Sequence, residues 1–202
     1  SAKSVINNFN EDDLKNIFKL FGEEKEASRI AKNIIKERRD RSINTTDELV
    51  NIIKKSKKKN YKKKIDESTK VFQALRIFVN QEISELIEGI IKATKILKPG
   101  GKLVVISFHS LEDKIVKFYF KNFSQNQSQS NRYLPENKNK NTFLFKNYKN
   151  KIITASSEEL KKNPRSRSAK LRFAIRSNVE FEDPKELRNK FQHLTDLEKK
   201  SA

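Results

Sequence analysis

The chain has 202 residues and a formal net charge of +19, from 45 lysines and arginines against 26 aspartates and glutamates. This length allows one or two domains, and the lack of cysteine excludes disulfides and cysteine-ligated metals. Two histidines, His109 and His193, are too few for a convincing zinc site, and no apolar stretch approaches the roughly 20 residues that cross a membrane. The sequence therefore predicts a soluble, cytoplasmic protein with no metal and no membrane partner.

The excess of positive charge favours a polyanionic partner, because neutralising phosphates releases counterions. A lysine-rich composition can also be a general property of a proteome, so charge alone does not separate RNA from other polyanions. The oligomeric state stays open, with a homodimer among the alternatives.

Residues 1–57 carry the pattern of about three short amphipathic helices. Asn10 followed by three acidic residues is typical of a helix start, and a second helix is predicted over residues 24–39. Thr45 and Glu48 form a capping-box pattern that begins a third helix. Residues 54–64 contain eight lysines among eleven residues, which indicates either a solvated connector or a segment that follows phosphates.

Residues 68–97 carry the longest helical pattern, with the polar residues Arg76 and Asn80 beside an apolar stripe. Pro99 and the glycines at 100 and 101 end this helix. The apolar run 103–106 then predicts a strand buried on both faces of a parallel sheet. Residues 107–110 follow at its carboxyl end, where open α/β sheets bind ligands, and Ser110 is predicted to cap the next helix.

The remaining elements are predicted from alternation and turn composition. Residues 111–123 predict a helix, 124–141 a polar loop, and 142–154 a strand, followed by a short helical turn at 157 and a basic loop over 163–168. Residues 171–176 alternate as a final antiparallel strand would. Residues 179–202 predict a charged helical tail, for which the sequence indicates no function.

Three segments together resemble the bacterial 16S ribosomal RNA cytosine-N4 methyltransferases of the MraW type. They are residues 106–117 (ISFHSLEDKIVK), residues 72–80 (FQALRIFVN) and residues 163–172 (NPRSRSAKLR), in family order, and the resemblance spans most of residues 1–178. The sequence departs from the family before Phe72, where Lys70 stands in place of the usual arginine. The resemblance implies S-adenosylmethionine as methyl donor and the 16S rRNA of the small ribosomal subunit as substrate.

The predicted fold class is α/β, and the resemblance implies a partial class I (Rossmann-like) methyltransferase sheet with a mostly helical inserted domain. The predicted domains are an inserted substrate-recognition domain over 1–66, the carboxyl-terminal half of the methyltransferase domain over 67–178, and the tail over 179–202. None of the four glycines follows a predicted strand and precedes a helix, as a cofactor loop requires. No cofactor-binding residue is therefore assigned, the cofactor loop is expected upstream, and the chain is expected to be inactive alone. The alternative is a non-catalytic basic RNA-binding module.

The catalytic candidates are Ser107, His109 and Ser110. His109 could take the proton that leaves the cytosine amine, or it could only complete the helix cap, and both alternatives stay open. The candidates for RNA contact carry a cationic, amide or aromatic side chain: Arg76, Asn80, Phe108, Asn163, Arg165, Arg167, Lys170 and Arg172. For each of them a structural role is the competing interpretation: solvent face, core or charged sheet edge.

Overall fold

The computed structural model describes residues 1–57, 66–125, 143–146 and 148–201. By its contacts the chain divides into two compact units, Ser1–Ser84 with His193–Ala202, and Glu85–Gln192. We call them the helical unit and the sheet unit. This division does not test the predicted domain limits of 1–66, 67–178 and 179–202, which stay predictions.

Four helices, and not the predicted three, occupy residues 1–57. They are α1 (Ala2–Asn8), α2 (Glu11–Leu20), α3 (Ala27–Asp40) and α4 (Thr46–Ser56). The predicted caps are confirmed, because the Asn10 side chain accepts the Asp13 N–H at 2.8 Å and Thr45 and Glu48 form a complete capping box. The missed helix, α1, has only seven residues, too few for a clear period. Most of the lysine-rich connector, residues 58–64 of 54–64, lies outside the described residues.

The core of the helical unit is aliphatic and aromatic, and α5 (Thr69–Asn80) packs into it. Phe78 meets the ring of Phe9 edge to face at 5.4 Å between centroids. Gly22 permits the close approach of α2 to α5, since a Cβ atom there would lie 2.5 Å from the carbonyl oxygen of Lys70. A larger residue at this position would force the two helices apart.

The single helix predicted over 68–97 is wrong, because the chain breaks at Gln81. This residue adopts a left-handed conformation, with φ of 52°, and α6 (Glu82–Ile96) begins directly after it. No glycine or proline marks the break, and the apolar period runs through it, so the sequence offered no local signal. The first N–H groups of α6 thereby lack acceptors within their own helix and need partners from elsewhere in the helical unit.

In the part of the chain that the structure describes, the sheet unit contains three strands and the helices that follow them. They are β1 (Lys102–Ser107), α7 (Ser110–Asn122), β2 (Ile153–Thr154), α8 (Ser157–Lys162) and β3 (Lys170–Ile175). The strand order is β1-β3-β2, with β3 antiparallel to both neighbours, so β1 and β2 run parallel to each other without touching. The basic loop predicted over 163–168 is instead a 3-10 helix, Pro164–Ser168.

The prediction that β1 is buried on both faces of a parallel sheet is wrong. Its ladder is antiparallel, and its side chains alternate between a face covered by α7 and an open face. Val104 and Ile106 are 51% and 55% exposed on the open face, where Phe173 of β3 lies opposite Val104. An uninterrupted apolar run cannot distinguish this arrangement from a strand covered on both sides.

The helix α7 supplies the core of the sheet unit, as predicted for Ile115, Val116, Tyr119 and Phe120. The Tyr119 hydroxyl donates to Thr94 at 2.9 Å, and burial raises the pKa of Tyr119 to about 12. Residues 126–142, most of the predicted polar loop, lie outside the described part of the chain.

The tail contains α9 (Lys185–Glu198), whose predicted apolar face is buried at Leu187, Phe191, Leu194 and Leu197. Among the described residues, no helix combines the length and apolar character that a membrane span requires.

Candidate functional site

The turn after β1 brings together Ser107, Phe108, His109 and Ser110, as predicted. The N-cap of α7 is His109, however, and Ser110 is the first helical residue, so the predicted cap at Ser110 is wrong by one position. His109 has extended backbone angles, φ −134° and ψ 163°, and its Nδ1 atom accepts the N–H of Glu112 at 3.3 Å. A histidine nitrogen thus does what a serine or aspartate oxygen usually does at this position.

The side chain of Glu112 forms the reciprocal hydrogen bonds, back to the backbone that precedes α7. Its Oε2 atom accepts the backbone N–H groups of Phe108 at 2.8 Å and His109 at 3.3 Å. Burial opposes the ionisation of Glu112, but hydrogen bonds from His109 and Phe108 outweigh it and hold the pKa below its usual range. The turn is therefore held by a reciprocal capping box with a fixed negative charge at the helix N-terminus, which favours such a charge.

This geometry assigns the proton on the His109 ring. Because Nδ1 accepts a hydrogen bond, the neutral ring carries its hydrogen on Nε2. That atom is buried, lies 3.4 Å from the Glu112 Oε1 atom, and has no hydrogen-bond partner within the described residues. To take up a further proton, His109 would have to give up the hydrogen bond that caps α7.

The neighbouring turn residues differ in accessibility. Ser107 is buried, and its hydroxyl donates to the carbonyl oxygen of Lys170 at 3.3 Å, which ties the end of β1 to β3. Phe108 is 54% exposed, so the competing interpretation of Phe108 as a core residue does not hold in this structure. The exposed ring beside a polar turn is the part of this site that can meet a flat ligand.

Arg172 is the RNA-contact candidate whose surroundings differ most from expectation. Its side chain is buried and forms two hydrogen bonds with Asp113, Nε to Oδ1 at 2.6 Å and Nη2 to Oδ2 at 3.2 Å. Its third nitrogen donates to the Tyr148 hydroxyl at 2.8 Å and to Asn150 at 3.2 Å. With four of its five N–H donors used inside the protein, the buried Arg172 fixes β3 to α7 and does not present a free guanidinium to phosphate.

Lys170 contacts the same carboxylate, with 3.3 Å from its Nζ atom to Asp113 Oδ2. Burial opposes the ionisation of Asp113, but Arg172 and Lys170 outweigh it and lower the pKa of this carboxyl. Asp113 escaped notice as a site residue because its place in the first turn of a predicted helix already explained it. Its partners lie 57 and 59 residues away in the sequence.

The 3-10 helix exposes the two remaining arginines of the third motif. The carbonyl oxygen of Asn163 accepts the N–H of Ser166 at 3.0 Å and its hydroxyl at 2.7 Å, and these bonds shape the turn. Arg165 and Arg167 are exposed, and neither forms an ion pair with another described residue. They are the accessible cations of this motif.

The helical unit holds the other two candidates together through a residue that sequence reasoning missed. Glu82 accepts from Arg76 Nε at 2.8 Å and Arg76 Nη2 at 3.0 Å, and from the Asn80 amide at 3.2 Å. Arg76 stays more than half exposed, and among described residues its Nη1 atom makes no hydrogen bond. Glu82 therefore orients both side chains and leaves one edge of the guanidinium for a ligand.

A cofactor loop of the kind expected for S-adenosylmethionine needs glycine between a strand and a helix. In the described ranges Gly22 follows α2, Gly89 lies within α6, and Gly100 and Gly101 precede β1. The strand-to-helix turn after β1 is closed by the Glu112 carboxylate instead. These residues do not fit that loop, and no chemical step is assigned to a cofactor bound by them.

Comparison with known proteins places the chain among bacterial methyltransferases. The sequence model of the MraW methylase family matches residues 1–177. Ribosomal RNA small subunit methyltransferase H of Bartonella bacilliformis is 47% identical over 180 residues, which cover 89% of this chain and 54% of that protein. The proteins of the same name from Sinorhizobium medicae and Agrobacterium fabrum are 46% and 45% identical, with 51% and 52% of their lengths covered. The chain thus spans about half the length of the curated relatives it matches.

Proposed function

The chain belongs to the MraW methylase family, and we propose that it supplies the RNA-facing part of a methyltransferase acting on the small ribosomal subunit. The reaction is transfer of a methyl group from S-adenosylmethionine to N4 of a cytidine in 16S rRNA. The observation that carries this proposal is the turn over residues 107–110, where a family motif exposes Phe108 at the end of a strand above a rigid capping box.

The sheet supports a class I methyltransferase fold. Its strands β1 and β2 are parallel and flank an antiparallel β3, and the connection between them contains α7. Within the described residues the second edge of β1 has no neighbouring strand, and the open face carries Val104 and Ile106. An apolar face and a free strand edge are the features expected where further strands and helices of such a domain join.

Within the turn, one residue contacts the RNA and others hold that residue in position. Phe108 stacks on a base that has left its helix, since an exposed aromatic ring accepts any flat base face. His109 and Glu112 hold the backbone of Phe108 in place and exclude the conformational freedom that a bare turn would have. Arg165 and Arg167, together with Arg76 and Asn80, contact the RNA backbone and fix its register.

An exchange of matched segments tests the proposal. Residues 1–177 would replace the corresponding part of the Bartonella bacilliformis relative, and the product would be incubated with small ribosomal subunits and S-adenosylmethionine. The expected result is N4-methylcytidine in 16S rRNA, detected by mass spectrometry after nuclease digestion. A second exchange limited to residues 102–177 covers a failure of the first protein to fold.

The competing function is a non-catalytic RNA-binding module, which the lack of a cofactor loop among the described residues favours. The two functions differ in one outcome. An exchanged protein that folds, binds S-adenosylmethionine and binds the small subunit, yet leaves its rRNA unmethylated, would overturn the enzymatic proposal and support the module. The unmodified relative serves as the positive control.

A further inference from the structure

The tail ends in a buried carboxylate that caps another helix. Glu198, the last residue of α9, has no exposed surface, and it lies beyond residue 177, where the match to the family ends. Its Oε1 atom accepts the N–H of Ile83 at 3.0 Å, and its Oε2 atom accepts the N–H of Ser84 at 2.8 Å and the Ser84 hydroxyl at 2.5 Å. The two backbone donors, Ile83 and Ser84, lie at the start of α6, where N–H groups have no acceptor within the helix.

The same part of the tail holds the break between α5 and α6. Gln81 has a positive φ of 52°, a conformation that is unfavourable for a non-glycine residue and persists only where its surroundings hold it. The Gln81 amide donates to the Ser201 hydroxyl at 3.2 Å, and that hydroxyl donates to the Glu198 carbonyl oxygen at 2.7 Å. Contacts from Glu198 and from Ser201 in the tail therefore meet one four-residue junction, residues 81–84.

That junction carries the residue that orients Arg76 and Asn80. Glu82 lies between Gln81 and Ile83, so the contacts of the tail fix the backbone on both sides of it. Its carboxylate holds the Arg76 guanidinium through two hydrogen bonds and the Asn80 amide through one. All of these residues lie in the helical unit. A continuous set of contacts thus runs from Glu198 through the α6 N-terminus to two side chains of a family motif.

We propose that Glu198 is a positioning residue that sets the orientation of Arg76 and Asn80 by capping the N-terminus of α6. The tail then belongs to the RNA-binding surface of the helical unit without touching the RNA. This inference rests on the proposed function in one respect, that Arg76 contacts RNA; the geometry itself stands apart from that function.

The first measurement follows the geometry without RNA. The Nε–H group of Arg76 gives a resolvable NMR signal when Glu82 holds it, and Arg76→Lys assigns that signal. Glu198→Ala should shift and weaken it through faster exchange with water, whereas Glu198→Gln, which keeps one acceptor oxygen, should give an intermediate spectrum. Lys200 lies in the same tail and forms an ion pair at the surface with Asp13 of α2. Lys200→Ala removes only this pair and should leave the Arg76 signal unchanged.

The second measurement is a double-mutant cycle on binding of a small-subunit rRNA fragment. Arg76→Ala should weaken binding on the order of tenfold, as the loss of a charge-assisted hydrogen bond does. Glu198→Ala should weaken it by a similar factor, and the double variant should bind no more weakly than Arg76→Ala alone. Lys200→Ala should bind as the wild type does.

The two measurements distinguish the positioning role of Glu198 from the proposed RNA contact of Arg76. An unchanged Arg76 signal in folded Glu198→Ala, or fully additive losses in the cycle, would overturn the positioning role. If Arg76→Ala binds RNA normally while its NMR signal still responds to Glu198→Ala, positioning stands and the RNA contact of Arg76 fails. If Glu198→Ala does not fold, the intermediate spectrum of Glu198→Gln decides.

Discussion

At the scale of single residues, the geometry of His109 bears on a question that the sequence left open, whether this side chain caps α7 or takes a proton. Its Nδ1 atom is committed to the cap of α7, and its Nε2 atom is buried. A general base needs a free lone pair within reach of the proton it takes. The geometry weighs toward the cap for His109, and the catalytic roles of His109, Ser107 and Ser110 all stay predictions.

Two substitutions of His109 separate these roles. Asparagine is a strong N-cap, so His109→Asn should keep the unfolding free energy close to that of the wild type, whereas His109→Ala should lose about 0.5–2 kcal/mol. Urea denaturation of the chain measures both. In the exchanged methyltransferase His109→Asn should keep turnover within a few-fold. A loss of about 10²–10⁴-fold in turnover with RNA binding intact would instead make His109 a general base.

The buried pair of Asp113 and Arg172 gives a second prediction at this scale. Arg172→Ala leaves the Asp113 carboxylate without its main partner, which should cost about 3–5 kcal/mol of unfolding free energy. Arg167→Ala, at an exposed position, should stay within about 0.5 kcal/mol of the wild type. Urea denaturation at pH 7 compares the two, and equal stabilities would show that the pair does not hold β3 to α7.

The same pair predicts a dependence on pH. The pKa of Asp113 is lower in the folded chain, so the unfolded chain binds a proton first as the pH falls. The stability that Asp113 contributes is complete above its unfolded pKa of about 3.9 and is lost as the pH falls through the lower folded value. Asp113→Asn should therefore flatten the loss of stability below about pH 4. If the unfolding free energy of the wild type and of the variant fell equally below about pH 4, this prediction would be contradicted.

At the scale of elements, the sequence predicted those features that depend on interactions between residues close together in the chain. The caps at Asn10 and Thr45, the apolar face of α7 and the antiparallel strand β3 each involve residues within a few positions of one another, and each was confirmed. The buried face of β3 nevertheless carries Arg172 and Ala174, whereas Phe173 is exposed. The break at Gln81 and the role of Arg172 depend on partners 120 and 59 residues away. A pattern read along the chain contains no information about such partners.

The open face of β1 gives a prediction for paired core and surface residues. Ile106 is 55% exposed and Ile115 of α7 is fully buried, although both are isoleucines in apolar runs. Ile115→Ala should cost about 2–5 kcal/mol, while Ile106→Ala should cost clearly less because little of its surface is removed from water. Urea denaturation of the two variants measures the difference. Equal losses would mean that the open face is covered in solution.

The 3-10 helix gives a prediction for RNA binding. If Arg165 and Arg167 bind phosphates, replacing both with alanine should weaken RNA binding about equally for all sequences. It should also reduce the slope of log affinity against log salt by about 0.7–0.9 for each phosphate that is no longer neutralised. The double replacement with lysine keeps both charges and should keep the slope. A slope unchanged by the alanine variant would leave these arginines as a solvated edge.

At the scale of the whole molecule, the chain combines the surface that we propose binds RNA with the lack of a cofactor loop among its described residues. We expect that the chain alone does not bind S-adenosylmethionine measurably, because the turn that follows β1 places a carboxylate where a cofactor loop would offer free N–H groups. Isothermal titration calorimetry measures this directly, with the Bartonella relative as the positive control. Binding in the micromolar range would contradict the expectation.

The open edge of β1 also affects how the chain behaves at high concentration. Residues 103–106 are uncharged and β-branched or aliphatic, and within the described residues β3 is their sole hydrogen-bonded neighbour. Such edges can pair with copies of themselves and nucleate aggregates. The charge of +19 opposes this through mutual repulsion, which salt weakens as the Debye length falls to about 3 Å at 1 M. The colloidal stability of the chain is therefore electrostatic, and its aggregation should accelerate as salt is added.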